Sequence, residues 1–216
     1  MPKIPIEELK KDMQIKAFLL NKSFVFNTTW GLFCPEEIDT GTKLLLKAVS
    51  ENKKVLEIFE QSKDETQSVD RMAKTANILD IGCGYGPIGL ALAKALPTAS
   101  VDLIDKDFVA VDYSKKNAVE NSIKNAHSYL SNGFSHVPSG KKYSLIVSNL
   151  PAKVSKEFFW ILFAETFEHL EKDGYFAVVV IKQLEIMMRK NFNTLFGNSE
   201  VIDRDKTYSV VITKKE

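Results

Sequence analysis

Apolar and polar positions change period along this chain, and the changes mark its elements. Residues 4–13 (Ile-Pro-Ile-Glu-Glu-Leu-Lys-Lys-Asp-Met) read as a short amphipathic segment. Two β-rich runs between Ile15 and Thr28 flank Asn21-Lys22-Ser23, a turn-forming cluster, and predict a hairpin. An aromatic-bearing loop, Thr28-Thr-Trp-Gly-Leu-Phe-Cys-Pro35, follows. Leu44, Leu45, Ala48, Val49, Val55, Leu56 and Phe59 then recur at helical spacing, which predicts a helix to about residue 60 with Thr40 or Thr42 as its cap. Gln61 to Thr75 is polar and mixed in charge. It reads as a connection into the core, because too little chain precedes it to fold alone.

From Asn77 the pattern alternates. Strand-type runs fall near 77–82, 100–105, 127–131, 143–149 and 175–181, and helical ones near 87–96, 107–124, 154–171 and 183–196. Such alternation predicts parallel strands joined by crossovers. Glu200 to Thr213 holds two strand-type runs with only a short turn between them, which forces an antiparallel pair. The expected architecture is one α/β domain over 1–216. A hairpin-and-helix extension (1–60) precedes a core (76–216) whose mostly parallel sheet ends in an antiparallel hairpin.

Composition narrows the classes. A chain of 216 residues is long enough for a real core. The net charge of +1 gives no global basic field, so any nucleic-acid surface is a local patch. The Lys-rich N-terminus (Lys3, Lys10, Lys11, Lys16, Lys22) offers phosphate contacts or a solvated face. No apolar run approaches membrane-spanning length and no charged-then-apolar leader is read, so no membrane partner is expected. Cys34 and Cys83 are isolated, which gives neither zinc spacing nor a disulfide framework and makes a reducing cytoplasm the expectation. His127, His136 and His169 match no metal or triad spacing.

The chemistry gathers around Asn77-Ile-Leu-Asp-Ile-Gly-Cys-Gly-Tyr-Gly-Pro-Ile-Gly-Leu-Ala-Leu-Ala93, a strand, a glycine-rich turn and the start of a helix. Pro87 suits the first helical position, where its missing N–H is no loss. Gly84-Tyr-Gly86-Pro-Ile-Gly89 matches the dinucleotide fingerprint in letters. The register argues against it. Starting at Gly84 leaves Asp80 and Gly82 inside the strand, where both are disfavoured, and starting at Gly82 puts Pro87 at the third glycine position. The pattern acidic-x-Gly-x-Gly-x-Gly, here Asp80-Ile-Gly82-Cys-Gly84-Tyr85-Gly86, fits with Asp80 at the strand's end. This resembles motif I of the S-adenosylmethionine (SAM) methyltransferases of Rossmann-like fold, whose glycine backbone lies against the methionine and ribose of SAM. A ligand-free tight turn is the plain alternative, but it needs fewer glycines.

Ligands in such sheets bind beyond the carboxyl ends of the strands. Asp105 ends the second strand, 21 residues after Gly84, the separation expected of a ribose-binding carboxylate; a helix cap is its other reading. Asp107 reads as the start of the next helix. Phe108 suits either an adenine face or the core. Asn132 (or Ser131) ends the third strand, where many SAM enzymes pair an Asp or Asn with the adenine amine; an Asn-Gly turn explains it equally. The fourth strand ends in Asn149-Leu150-Pro151-Ala152-Lys153, which resembles the Asn-Pro-Pro-aromatic signature of amino-methyltransferases. In that signature the Asn oxygen and the next carbonyl accept the target amine's hydrogens. Leu150 replaces a proline and loses its φ lock. Ala152 replaces the aromatic, and with it base stacking worth about 1–3 kcal/mol. Lys153, Lys156, Phe158, Phe159 and Trp160 lie just beyond, with Phe158, Phe159, Ile161, Leu162, Ala164 and Phe167 reading as the buried side of a helix.

The layout from the hairpin, through Phe26-Asn-Thr-Thr-Trp-Gly-Leu-Phe33 and Ile38-Asp-Thr-Gly-Thr-Lys-Leu-Leu-Leu46, to the terminal hairpin is similar to the small methyltransferase domain of 16S rRNA guanine-N2 methyltransferases and their single-domain relatives. The resemblance covers nearly the whole chain. It implies a Rossmann-like fold with a seven-stranded sheet, SAM as cofactor with S-adenosylhomocysteine as product, and packing of Phe33, Asp39, Gly41 and Thr42 over the SAM pocket; from the residues alone Trp30 and Phe33 read as plain packing or as the lining of a ligand mouth. It implies methylation of an exocyclic amine, guanine in rRNA or another structured RNA, tRNA included. Asn149, Leu150 and Pro151 are then the catalytic residues, and Asp80, Gly82, Gly84, Tyr85, Gly86, Asp105, Asn132, Asn149, Phe33 and Thr42 the cofactor-binding ones. A glutamine or small-molecule N-methyltransferase, an inactive SAM- or RNA-binding module, and a nicotinamide oxidoreductase are the alternatives. Monomer and homodimer both stay open.

Overall fold

The computed structural model describes residues 5–60 and 75–216. The connection expected over Gln61–Thr75 therefore lies, but for Thr75, outside the described residues. One helical turn, α1 (Ile6–Leu9), opens the chain with no buried side chain, so the expected amphipathic segment covers nothing. β1 (Met13–Leu19) and β2 (Lys22–Thr28) form an antiparallel hairpin. Its turn is Leu20-Asn21, both at positive φ (47° and 59°), one residue before the expected cluster. Paired positive φ is the hairpin turn whose twist matches the strands. Lys22 and Ser23 therefore belong to β2, which turns Phe24 and Phe26 inward.

Helix α2 (Thr40–Glu51) is capped by Asp39, whose side chain accepts from Thr42 N, and not by Thr40 or Thr42. It also ends earlier than expected. Asn52 is extended, and its Oδ1 accepts from Lys54 N and Val55 N to start α3 (Lys53–Glu60).

Seven strands form the main sheet: β3 (Asn77–Ile81), β4 (Ser100–Asp105), β5 (Ala126–Leu130), β6 (Tyr143–Asn149), β7 (Leu170–Ile181), β8 (Glu200–Arg204) and β9 (Tyr208–Lys214). Their order is β5-β4-β3-β6-β7-β9-β8. The first five are parallel, and β9 is antiparallel to both β7 and β8. β7 starts well before its expected position. It follows α6 (Lys156–His169) directly, because Leu170 already pairs with Tyr143.

The apolar strand runs divide between two cores, as side chains alternate across a strand. Ile78, Val101, Leu103, Leu145, Val147, Ala177 and Val179 face one side with α2, α4 (Pro87–Ala95), α5 (Phe108–Glu120) and the hairpin. Leu79, Ile104, Ile146, Phe176, Val178 and Val180 face the other with α6 and α7 (Glu185–Phe196). There Phe159, Phe163, Phe176, Phe192 and Phe196 pack ring to ring at 5.0–6.5 Å. Phe158, Trp160 and Ile161 are exposed, contrary to the reading of Phe158 and Ile161 as buried, because α6 is covered on one side only.

Two asparagines dock the hairpin. Asn117 Oδ1 accepts from Asn27 N at 2.7 Å while its Nδ2 donates to Asn27 O and Tyr85 O. One turn later, Asn121 bonds both backbone groups of Val25. The two carboxamides thus satisfy an open strand edge as a neighbouring strand would.

Candidate active site

A cavity of about 470 Å³ opens where the ligand rule places it, beyond the carboxyl ends of β3, β4 and β6. Strand order reverses at β3, which has β4 on one side and β6 on the other.

The glycine turn forms its floor. Gly82 N and Cys83 N both donate to Ile104 O, which ties the turn to β4. Gly82, Gly84 and Gly86 all have positive φ (70°, 56° and 97°), which glycine alone adopts without cost. Their surroundings differ. A Cβ at Gly82 or Gly84 would meet no protein atom within 4 Å, and both residues line the cavity, so a side chain there would fill ligand space. A Cβ at Gly86 would strike Leu90 Cδ1 at 2.8 Å, so that glycine serves packing and caps α4. Tyr85 is buried under the turn, and its hydroxyl donates to Cys34 O and Glu37 O, which fastens the 29–39 loop over the cavity. Phe33 of that loop lines the cavity while its ring is 64% exposed. Trp30 points to solvent with Lys10 Nζ 5.9 Å from its ring, away from the lining.

Two carboxylates hold this floor. Asp80 is fully buried outside the cavity lining; Oδ2 accepts from Gly89 N at 2.8 Å. Oδ1 has no hydrogen-bond partner among the described residues. Burial pushes its pKa up to about 7, against the pull of the Gly89 N–H and with help from nearby Asp105. Asp105 lies in the lining, accepts from Gly84 N through Oδ2 and from Asp107 N through Oδ1, each at 2.9 Å. Asp107 caps α5, as read. Phe108 is exposed and belongs neither to the core nor to the lining. Asn132 and Ser131 are not brought to the cavity. Ser131 Oγ donates to Gly133 O and accepts from His136 N, and Asn132 O accepts from Ser135, all within a local turn.

Across the cavity, Asn149 ends β6. Its Nδ2 donates to Asp39 Oδ2 at 2.8 Å and to Thr42 Oγ1 at 3.1 Å. Asp39 also accepts from the Tyr208 hydroxyl at 3.1 Å. A carboxylate only accepts, so the amide nitrogen must face Asp39 and Oδ1 is the amide's remaining polar atom. Leu150 N donates to Val179 O at 3.1 Å, and its side chain is buried against the α6 face of the sheet. A proline there could make no such bond, so a hydrogen bond and burial replace the φ lock. Pro151 and Ala152 complete this rim.

Tyr208 was not legible as a site residue. The antiparallel β9 starts beside the carboxyl end of β7, with Tyr208 paired to Ile181, so the ligand rule extends to the first residue of an antiparallel neighbour. No metal-holding group of three His, Cys, Asp or Glu residues exists among the described residues. No helix there is long and apolar enough to cross a membrane.

The profile of the methyltransferase small domain matches residues 65–212. The chain belongs to this family. As a small-domain methyltransferase it is 32% identical over 209 residues to the uncharacterized protein YbxB of Bacillus subtilis, covering 96% of this chain and 94% of that one. It is 28% identical to ribosomal RNA small subunit methyltransferase C of Buchnera aphidicola, covering 93% of this chain and 54% of the relative. The Thermus thermophilus 16S rRNA N2 G1207 methyltransferase, solved with AdoMet and guanosine, superposes with a TM-score of 0.78 at 21% identity over 95% of this chain and 51% of that one. That likeness confirms the Rossmann-like methyltransferase fold. The chain spans about half the length of both rRNA methyltransferases.

Both thiols of this small domain are held in the protonated form. Burial raises the pKa of Cys83 well above its ordinary value, and burial beside Asp39 raises that of Cys34. Burial and Asp39 also hold the Tyr208 hydroxyl in its protonated, donating form. The site thus offers fixed acceptors, the Asp105 carboxylate and the Asn149 amide oxygen among them.

Proposed function

We propose that this protein is a SAM-dependent methyltransferase that modifies an exocyclic amine, guanine N2 in ribosomal RNA. One observation carries the reading: the Asn149 carboxamide is pinned through its nitrogen, which leaves its oxygen to accept from a substrate amine. The open space above Gly82 and Gly84 fits the extended body of SAM, and Asp105 suits its ribose hydroxyls. When bound, SAM supplies an electrophilic methyl group on a sulfonium that is a good leaving group. The protein's own part is positioning. Asn149 Oδ1 and the Leu150 carbonyl accept the two N–H bonds of the amine, which leaves its lone pair free to attack. The extra proton then passes to water. Similarity to rRNA methyltransferases supports the RNA target and agrees with the expected cytoplasmic location.

A second reading has its own observation. Ala152 gives this rim no ring on which to stack a base, and a glutamine carboxamide would satisfy the same two acceptors.

The test is transfer from labelled SAM to rRNA lacking the modification, followed by nuclease digestion and nucleoside analysis. The expected product is N2-methylguanosine. Asn149→Ala should lose about 10²-fold in rate, the usual cost of misplacing a reacting group, with S-adenosylhomocysteine binding retained. An unchanged rate would remove Asn149 from the chemistry. Label that survives RNase and runs with protein would favour glutamine.

A further inference from the structure

We infer that Asp39 is a positioning residue which, together with Thr42 and Tyr208, locks and polarises the Asn149 carboxamide so that its oxygen is the acceptor presented to the amine. This rests on the function proposed above. It adds residues from opposite ends of the chain to the catalytic strand.

The geometry is specific. Asn149 Nδ2 carries two protons, and two protein acceptors lie within reach: Asp39 Oδ2 at 2.8 Å and Thr42 Oγ1 at 3.1 Å. With both protons engaged, the amide cannot flip without setting its oxygen against a carboxylate. A charged acceptor on the nitrogen also draws density towards the amide oxygen and strengthens it as an acceptor. Asp39 is itself fixed from two further directions. Oδ2 accepts from Thr42 N at 3.0 Å, the cap of α2, and Oδ1 accepts from Tyr208 Oη at 3.1 Å. Tyr208 is held in turn by its packing on Gly41. A Cβ at residue 41 would lie 3.0 Å from the Tyr208 ring and 2.9 Å from Asp39 Oδ2, so only glycine lets the ring and carboxylate approach together. The Asp39 carboxylate is nearly buried, at 9% exposure, so solvent screens these bonds little.

Helix capping alone would not explain this arrangement. A cap needs one oxygen facing Thr42 N; here that oxygen, Oδ2, also accepts from Asn149, and the second, Oδ1, accepts from Tyr208.

Three variants separate positioning from capping. Asp39→Ser keeps a good N-cap but is too short to reach Asn149. Asp39→Asn keeps the length and an acceptor but loses the charge. Tyr208→Phe removes the outer tether. In the free protein, the two side-chain amide protons of Asn149 should give resolved, exchange-protected NMR resonances. Asp39→Ser should abolish that protection, Asp39→Asn should retain it in part, and Tyr208→Phe should reduce it. In methyl transfer, Asp39→Ser should lower kcat by about 10²-fold with KM for RNA little changed. Its cost should vanish in an Asn149→Ala background, because two residues acting as one unit are not additive. Unchanged Asn149 amide resonances in Asp39→Ser would overturn the inference, as would a full additional loss in the double variant. Should the wild type transfer no methyl group to RNA, the proposed function fails. The NMR comparison still decides the positioning role.

Discussion

Asp80 makes stability depend on pH in a direction opposite to most carboxylates. The unfolded chain ionises it near 3.8, whereas burial holds its folded pKa up at about 7. A raised carboxylate pKa contributes stability that is complete below 3.8 and is lost as the pH climbs to about 7. Between pH 5 and pH 8 the loss runs over roughly two units at about 1.4 kcal/mol each, or about 3 kcal/mol. For a chain of 216 residues this lowers Tm by about 6–12 °C. Asp80→Asn is isosteric and keeps an acceptor for Gly89 N but cannot ionise. The amide nitrogen falls where Oδ1 has no partner, a buried cost that shifts the whole curve without adding a slope. Thermal unfolding from pH 5 to pH 8 should therefore show the variant losing several degrees less than the wild type. Parallel Tm–pH curves would refute the assignment of a raised pKa to Asp80.

Other outcomes follow from single contacts. Asp105→Ala removes the acceptor of Gly84 N and a lining carboxylate, so S-adenosylhomocysteine affinity measured by calorimetry should fall at least tenfold while the fold survives. Leu150→Pro restores the residue of the resembled signature but deletes the bond to Val179 O and a buried side chain; denaturant unfolding should show a loss of about 1–3 kcal/mol. Phe163→Ala, at the centre of the aromatic cluster on the α6 side, should cost about 3–5 kcal/mol in the same assay.

The parallel core was legible because its central strands are buried on both faces. Leu145-Ile-Val147 and Val178-Val-Val180 read as unbroken apolar runs, and such runs leave little choice of element. The glycine turn was legible for a related reason: three positive φ values in five residues need glycines at those positions. Decisions made by distant partners were not. Asp39, Thr40 and Thr42 are all competent caps, and the choice falls to Asp39, which also binds Asn149 and Tyr208, residues more than a hundred positions away. The hairpin turn falls on Leu20, a residue that composition does not favour at positive φ, because this register buries Phe24 and Phe26. Asn117 and Asn121 fall inside the helical stretch expected near 107–124, where nothing local marks them as partners of β2 and the Tyr85 turn.

These distant partners explain why the N-terminal extension is part of the enzyme core. Ile15, Phe24, Phe26, Leu45 and Val49 share one apolar cluster with Ile78 and Val101 of the central strands, so the extension has no separate core. It reaches the site three times: Tyr85 pins its loop, Asn117 pins its strand, and Asp39 holds Asn149. From the other end of the chain, Tyr208 brings the terminal hairpin to the same carboxylate. The exposed ion pairs Lys47–Asp203 and Lys54–Glu200 also join extension to hairpin, but at the surface solvent screens them and they add little. The buried Asp39 bonds are the ones that reach the candidate site. Asn149 is held by Asp39 and Thr42 of the extension, and Asp39 in turn by Tyr208 of the terminal hairpin, so both ends of the chain meet at the carboxyl end of β6.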